Sequence, residues 1–149
     1  MANRRNKIWV GPADGANAKP LIVEGLAVDA FTPGELIVRD ASGLNTSTNA
    51  STVLGQECLI AREIGANIGG DVDTAATVGE TAYAVKLRSG EFALVRSAAT
   101  QNITAKGLAL TSNGDGTFKL AGAADDKIVY SEEIINVTAA GTLVLVSRA

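Results

Sequence analysis

Histidine is absent from this 149-residue chain, and cysteine occurs once. Without histidine there is no ordinary general base near neutral pH and no Ser-His-Asp arrangement. A zinc site of the Cys/His type is excluded as well. Cys58 has no second cysteine to pair with, and its neighbours Glu57 and Leu59 bring no activating cation. It therefore reads as a packed thiol rather than a nucleophile. Aromatic residues make up only 4% of the chain, too few for the stacking platforms of a sugar cleft. No Gly-x-x-x-x-Gly-Lys-Ser/Thr loop or Gly-x-Ser-x-Gly elbow occurs. No apolar run approaches the roughly 20 residues of a membrane span. The opening segment lacks the apolar core of a secretory signal, so synthesis in a reducing cytoplasm is expected.

Glycine and small aliphatic residues are abundant instead. There are 16 glycines against 3 prolines, and 46% of the chain is hydrophobic. That mixture predicts many sharp turns around a core of Val, Leu, Ile and Ala, hence an all-β fold, a compact barrel or sandwich with long loops. Leu21–Val28 and Glu35–Val38 read as strands around the turn Phe31-Thr32-Pro33-Gly34. Asp40–Ser51 and Ile64–Thr77 read as long loops, and strand character returns over Val53–Ala61. Thr81–Arg88 and Glu91–Arg96 both alternate and flank Ser89-Gly90, predicting a hairpin. Lys127–Tyr130 suits a strand, although Asp125-Asp126 could instead cap a short helix. Thr142–Val146, apolar on both faces, predicts a central or covered strand. Thr32-Pro33-Gly34-Glu35, Thr77-Val78-Gly79-Glu80, Thr104-Ala105-Lys106-Gly107 and Ala139-Ala140-Gly141-Thr142 each introduce a strand. Their spacing is irregular, which reads as shared turn chemistry rather than a solenoid.

Three features are candidates for function. The first is Ser112-Asn113-Gly114-Asp115-Gly116-Thr117, crowded enough to raise the question of a calcium loop. Setting Gly116 at position 6 of an EF-hand puts Thr111 first and Gly122 last, and both ends fail. The stretch reads as a hairpin turn, with Leu108 and Leu110 facing the same core as Phe118 and Leu120. The second is the set of carboxylate pairs Asp71/Asp73, Asp125/Asp126 and Glu132/Glu133, since two carboxylates suffice for glycoside hydrolysis. Adjacent acids on a strand point to opposite faces, and each pair reads as solvated surface. No catalytic, cofactor or metal site is expected, and the chain reads as a non-enzyme.

The third is the N-terminus. Three of the 13 basic residues, Arg4, Arg5 and Lys7, open a chain whose net charge is −3. The acidic balance argues against nucleic acid as a direct partner. Residues 1–20 are expected to form an arm on a single β-rich domain, 21–149. Within that arm Arg4, Arg5 and Lys7 would meet acidic groups, and Ile8, Trp9 and Val10 would fill a groove on a partner or a neighbouring copy. The competing reading packs Trp9 on its own barrel.

Val23–Gly43 (VEGLAVDAFTPGELIVRDASG) joins an apolar strand, a Pro-Gly turn, a short strand and a polar loop. With Val53–Glu63, Asp73–Val95 and Ala139–Ala149, it resembles the capsid decoration, or cement, proteins of tailed bacteriophages. The resemblance covers most of the chain in order and lies in turn-and-strand patterns. It implies a small β-rich, often trimeric protein that binds the major capsid protein on the outside of the expanded head. There it would brace the virion against internal DNA pressure. It transfers no binding residue, and it implies neither a cofactor nor a membrane. A tail-tube or head-fibre component and a carbohydrate-binding β-module are the alternatives.

Overall fold

The computed structural model describes residues 7–12, 19–48, 57–63 and 71–149. Among them are thirteen strands and no helix, an all-β fold. In chain order they are β1 (Trp9–Pro12), β2 (Ile22–Leu26), β3 (Leu36–Asp40), β4 (Gly43–Thr46), β5 (Leu59–Ala61), β6 (Thr81–Lys86) and β7 (Glu91–Ser97). There follow β8 (Gln101–Ile103), β9 (Ala109–Ser112), β10 (Phe118–Leu120), β11 (Val129–Ser131), β12 (Ile135–Val137) and β13 (Thr142–Ser147).

Ten of these strands build the same five-stranded unit twice, while β8 pairs with β12 and β1 adds to β7. In the C-terminal unit the order β7-β10-β9-β11-β13 closes on itself because β13 also pairs with β7. In the N-terminal unit the order is β2-β6-β5-β3-β4, and a parallel bridge between Ala27 and Leu44 closes the ring. Connectivity is identical: a first strand antiparallel to the fifth, a hairpin of the second and third, and the fourth between the second and fifth. The closing contact is parallel in both, Ala27 with Leu44 and Ser97 with Phe118.

The match extends to individual hydrogen bonds. Gly34 N–H donates to Ala61 O, and Gly107 N–H to Ser131 O; Gly79 N–H donates to Ala27 O, and Gly141 N–H to Ser97 O. Arg62 N–H donates to Tyr83 O, and Glu132 N–H to Leu145 O. All four strand-introducing turns therefore occupy paired places, and each places its glycine at positive φ, between 82° and 96°. Glycine adopts that conformation without the steric cost other residues incur.

Alternation sorts the side chains into two cores. Ala82 and Ala84 of β6 face the interior of the N-terminal unit with Ile37, Leu44, Leu59 and Ala61. By alternation the buried Val85 and Leu87 face the other way, and Leu87 joins the larger core with Leu36, Cys58 and Ile60. That core also contains Leu110, Phe118, Val129 and Val144 of the C-terminal unit. One wall of the N-terminal unit thus packs against its neighbour, and the strands of that wall are apolar on both faces.

The Ser89-Gly90 turn forms, with Glu91 N–H donating to Arg88 O at 3.1 Å. Its flanking strands are not a hairpin, however: β6 pairs with β2 and β5, while β7 pairs with β1, β10 and β13. The turn is the link between the two units. The expected loop Asp40–Ser51 contains β4, so its first part is a β3–β4 hairpin. Residues 49–56 and 64–70 lie outside the described residues, and with them most of Val53–Ala61 ahead of β5. The segment after Asp125-Asp126 is the strand β11 rather than a helix. β13 lies between β7 and β11, the central position expected for Thr142–Val146.

Closure of the N-terminal unit depends on Gly43. Its φ is +137°, and a Cβ there would lie 2.2 Å from Leu26 O. Gly90 also has positive φ, but a Cβ there meets nothing within 4 Å. Gly43→Ala is expected to cost about 3 kcal/mol by adding a backbone clash to a disfavoured φ. Gly90→Ala should cost about 1 kcal/mol. Urea unfolding of the two variants side by side checks the difference.

Candidate functional site

The N-terminal candidates divide between core and surface. Arg4 and Arg5 lie outside the described residues. Lys7 is exposed, and Val10 is 52% exposed. Ile8 is fully buried in the chain's own larger core, and Trp9 is half-buried against that core. Ile8 O accepts from Leu94 N–H at 2.8 Å, and Ile8 N–H donates to the buried Glu63 carboxylate at 3.2 Å. Trp9–Pro12 then pairs with β7, with an irregular register between Trp9 and Gly11. The segment expected as an arm over 1–20 therefore enters the sheet at β1. Ile8 fills this chain's own interior in the structure, and Trp9 packs beside it.

The Asn-Gly-Asp-Gly stretch connects β9 and β10 as a hairpin, with Leu110 opposite Leu120 and Phe118 opposite Ser112. Asp115 Oδ1 accepts from Thr117 N–H at 3.0 Å and from the Thr117 hydroxyl. Partial burial pushes the Asp115 carboxyl up, but the bonds from Thr117 and Asn113 outweigh it and hold the group below its usual range. The turn thus uses its own acid. Its tip docks on the N-terminal unit: Gly116 O accepts from Leu36 N–H at 2.7 Å, and a Cβ on Gly116 would strike Thr46 at 2.7 Å.

The candidate carboxylate pairs are tied into local structure. Asp71 accepts from Asp73 N–H and the Thr74 hydroxyl, and Asp73 meets the Arg96 guanidinium at 3.1 Å. Asp125 accepts from Gly122 N–H at 2.7 Å. Glu132 accepts from the Ser147 hydroxyl at 2.6 Å, and Glu133 accepts from Leu145 N–H at 2.9 Å. Cys58 is buried, and that burial pushes its thiol up even though Arg148 lies close enough to oppose it. A buried neutral thiol is a poor nucleophile.

Sequence reasoning passed over the strongest polar centre, Arg96. It is 8% exposed and follows the apolar run Phe92–Val95 within β7. Its Nε donates to Pro33 O at 2.8 Å, its Nη1 to Gly141 O at 2.8 Å, and its Nη2 to Val72 O and Asp73 Oδ1. Its backbone N–H donates to Gly34 O at 2.9 Å. One guanidinium therefore joins the first turn of the N-terminal unit, the 71–73 segment and the last turn of the C-terminal unit. A single basic residue following Phe92-Ala93-Leu94-Val95 was the available signal.

Two further polar groups flank the units. Arg39 Nε donates to Glu57 Oε2 at 2.7 Å, and Lys86 Nζ lies 3.4 Å from Glu57 Oε1. The Arg39 bond, with help from Lys86, holds the Glu57 carboxyl below its usual value. Beside this pair an open cavity of about 310 Å³ is lined by Ile37, Val38, Arg39, Glu57 and Leu59. Glu35, at the junction, is raised by desolvation and by the nearby Asp115 charge, against the lowering effects of a Thr32 hydrogen bond and Arg96. Exposed apolar side chains occur elsewhere, Leu26 at 50% and Val78 at 58% among them.

No family model matches the chain, and no curated protein matches it at a significant level.

The raised Glu35 pKa has a definite sign. Folding favours its protonated form, so its contribution to stability is fully present below the ordinary glutamate value and is lost as pH rises through the folded-state value. Glu35→Gln is expected to raise the neutral-pH Tm and to flatten the pH dependence just above the ordinary glutamate range. Thermal unfolding across that window checks both.

Proposed function

We propose that this chain is a structural virion protein of a tailed bacteriophage, which binds the outer surface of the expanded capsid and stabilises it as a decoration protein. The observation that carries the reading is the pair of closed five-stranded units locked by Arg96. Such a body resists deformation, because neither unit can shift without breaking buried hydrogen bonds. A brace needs that rigidity, together with contact points spread over its surface rather than one cleft. The turn-and-strand resemblance to cement proteins adds independent support. Engagement of the candidate carboxylates with local backbone and side chains fits a role in binding rather than turnover.

In this reading the partner is the major capsid protein, the protein acts as a homo-oligomer, with a trimer favoured, and its place is the outside of the virion. Many modest contacts acting together supply the grip. Ile8 is already used internally, so the contact offered by the N-terminus narrows to the cations Arg4, Arg5 and Lys7 with the exposed Val10. Removing residues through Pro12 would also strip β1 and Ile8 from the fold and so would not isolate binding. Charge reversal is cleaner.

Co-sedimentation with undecorated expanded capsids of the parent phage is expected to show saturable binding, absent with compact shells. Combined Arg4→Glu, Arg5→Glu and Lys7→Glu substitutions should weaken it at least about tenfold while leaving Tm unchanged. Failure of the folded wild-type chain to bind either shell would overturn the reading. It would favour a tail or head-fibre component or a glycan-binding module.

A further inference from the structure

We infer that copies of this chain associate head to tail, through the same contact that joins the two units within one chain. The Thr104–Gly107 turn of one copy docks on the outer β2–β6 face of the next. This deepens the self-association element of the proposed function and depends on no property of the shell.

Inside the chain, the N-terminal unit offers its first turn, Thr32–Glu35, to the outer face of β7 and β13. Gly34 O accepts from Arg96 N–H, and a Cβ on Gly34 would lie 3.0 Å from Leu143 Cδ2. The repeat assigns an equivalent to each partner. Gly107 corresponds to Gly34, since their N–H groups donate to the paired Ala61 and Ser131 carbonyls. Leu26 corresponds to Arg96, since Leu26 pairs with Thr81 as Arg96 pairs with Leu143.

Both equivalents are exposed. Thr104, Ala105, Lys106 and Gly107 are all exposed, and a Cβ on Gly107 meets nothing within 4 Å. Leu26 is 50% exposed, with the exposed Val78 and the exposed acids Glu24 and Glu80 close to it in sequence or pairing. Ala27 N–H donates to Glu80 O, so by strand alternation Leu26 N–H points to the edge of β2 away from β6. That is the edge on which Arg96 N–H meets Gly34 O in the other unit. The face is apolar with acidic neighbours, and the turn that fits it carries Lys106. The two surfaces carry complementary charge and lie on one chain.

The direction of association follows. If a two-fold axis related the units, the Thr104–Gly107 turn would already cover Leu26 within the chain. It does not, so the contact is heterologous and its repetition generates a ring or an open filament. The same operation brings the exposed Asp40–Ser42 tip of one copy to Ala109 of the other, as Gly116 meets Leu36 within the chain. A three-copy ring would display six barrels.

Sedimentation velocity over a range of concentrations tests this on the full chain alone. Wild type should associate, and Leu26→Asp and Lys106→Glu should each weaken association at least tenfold with unchanged circular dichroism. Mixed together, the two variants should form one-to-one dimers and nothing larger, because each retains one intact half of the contact. Glu24→Lys replaces Leu26→Asp if the latter fails to fold; mixed with Lys106→Glu it should associate beyond the dimer, because the swapped charges at positions 24 and 106 are complementary again. A monomeric wild type, association indifferent to these substitutions, or a mixture that stays monomeric would each overturn the inference. None of those outcomes bears on binding to the capsid by a single copy.

Discussion

Arg96 is the constraint on which the rest of the structure depends. A guanidinium has five N–H donors in one plane and cannot shed its charge, so a site that excludes water must supply acceptors around it. Here the acceptors are the carbonyls of Pro33, Val72 and Gly141, with the carboxylate of Asp73 toward solvent. The three carbonyls come from separate parts of the chain, and none can move without leaving a buried donor unpaired. Such an omission costs about 1–3 kcal/mol per group. The arginine therefore sets where the two units sit, and apolar burial of Leu36, Ile60, Leu87 and Leu143 fills the space between them.

Duplication gives a physical reason for this arrangement. A small five-stranded ring can close its hydrogen bonds but has little interior to fill. The N-terminal unit illustrates the limit, since five of its buried residues are alanines, Ala27, Ala61, Ala76, Ala82 and Ala84. The C-terminal unit has Val144 and Val146 where the first has Ala82 and Ala84, and Phe118 where the first has Leu44. Joined, the two share a core larger than either could build. The position equivalent to Arg96 in the N-terminal unit is Leu26, which is 50% exposed. One copy of the contact is thus satisfied internally and the other is left at the surface.

The sequence disclosed the local features and concealed the long-range ones. The Ser112–Gly116 hairpin was legible because Asn-Gly and Asp-Gly determine chain reversal within a few residues. The turn at Ser89-Gly90 was equally legible, yet its strands part into different rings, because alternation describes a strand's faces and not its partners. The recurrent Thr/Ala-x-Gly turns were visible as four similar tetrapeptides. Their meaning as two matched pairs was not, because the side chains around them had diverged: Pro33 against Lys106, Leu26 against Arg96, Leu44 against Phe118. What is kept between the units is the backbone hydrogen-bond pattern, which leaves almost no trace in residue identity beyond glycine. The N-terminal residues were legible only as chemistry. Ile8 and Trp9 looked like material for a partner's groove, and it is this protein's own core that takes Ile8 in.

The most direct measurement is amide hydrogen exchange on Arg96→Leu, which installs at the junction the residue its sister unit carries. Protection should fall at the junction amides of Leu36, Arg96 and Ile8, with a loss of global stability of about 3 kcal/mol. Amides within each ring, such as those of Ala84 and Val146, should then exchange through separate openings of the two units. If the variant keeps wild-type protection at the junction, or loses it uniformly while unfolding as one unit, Arg96 is not what holds the two barrels together.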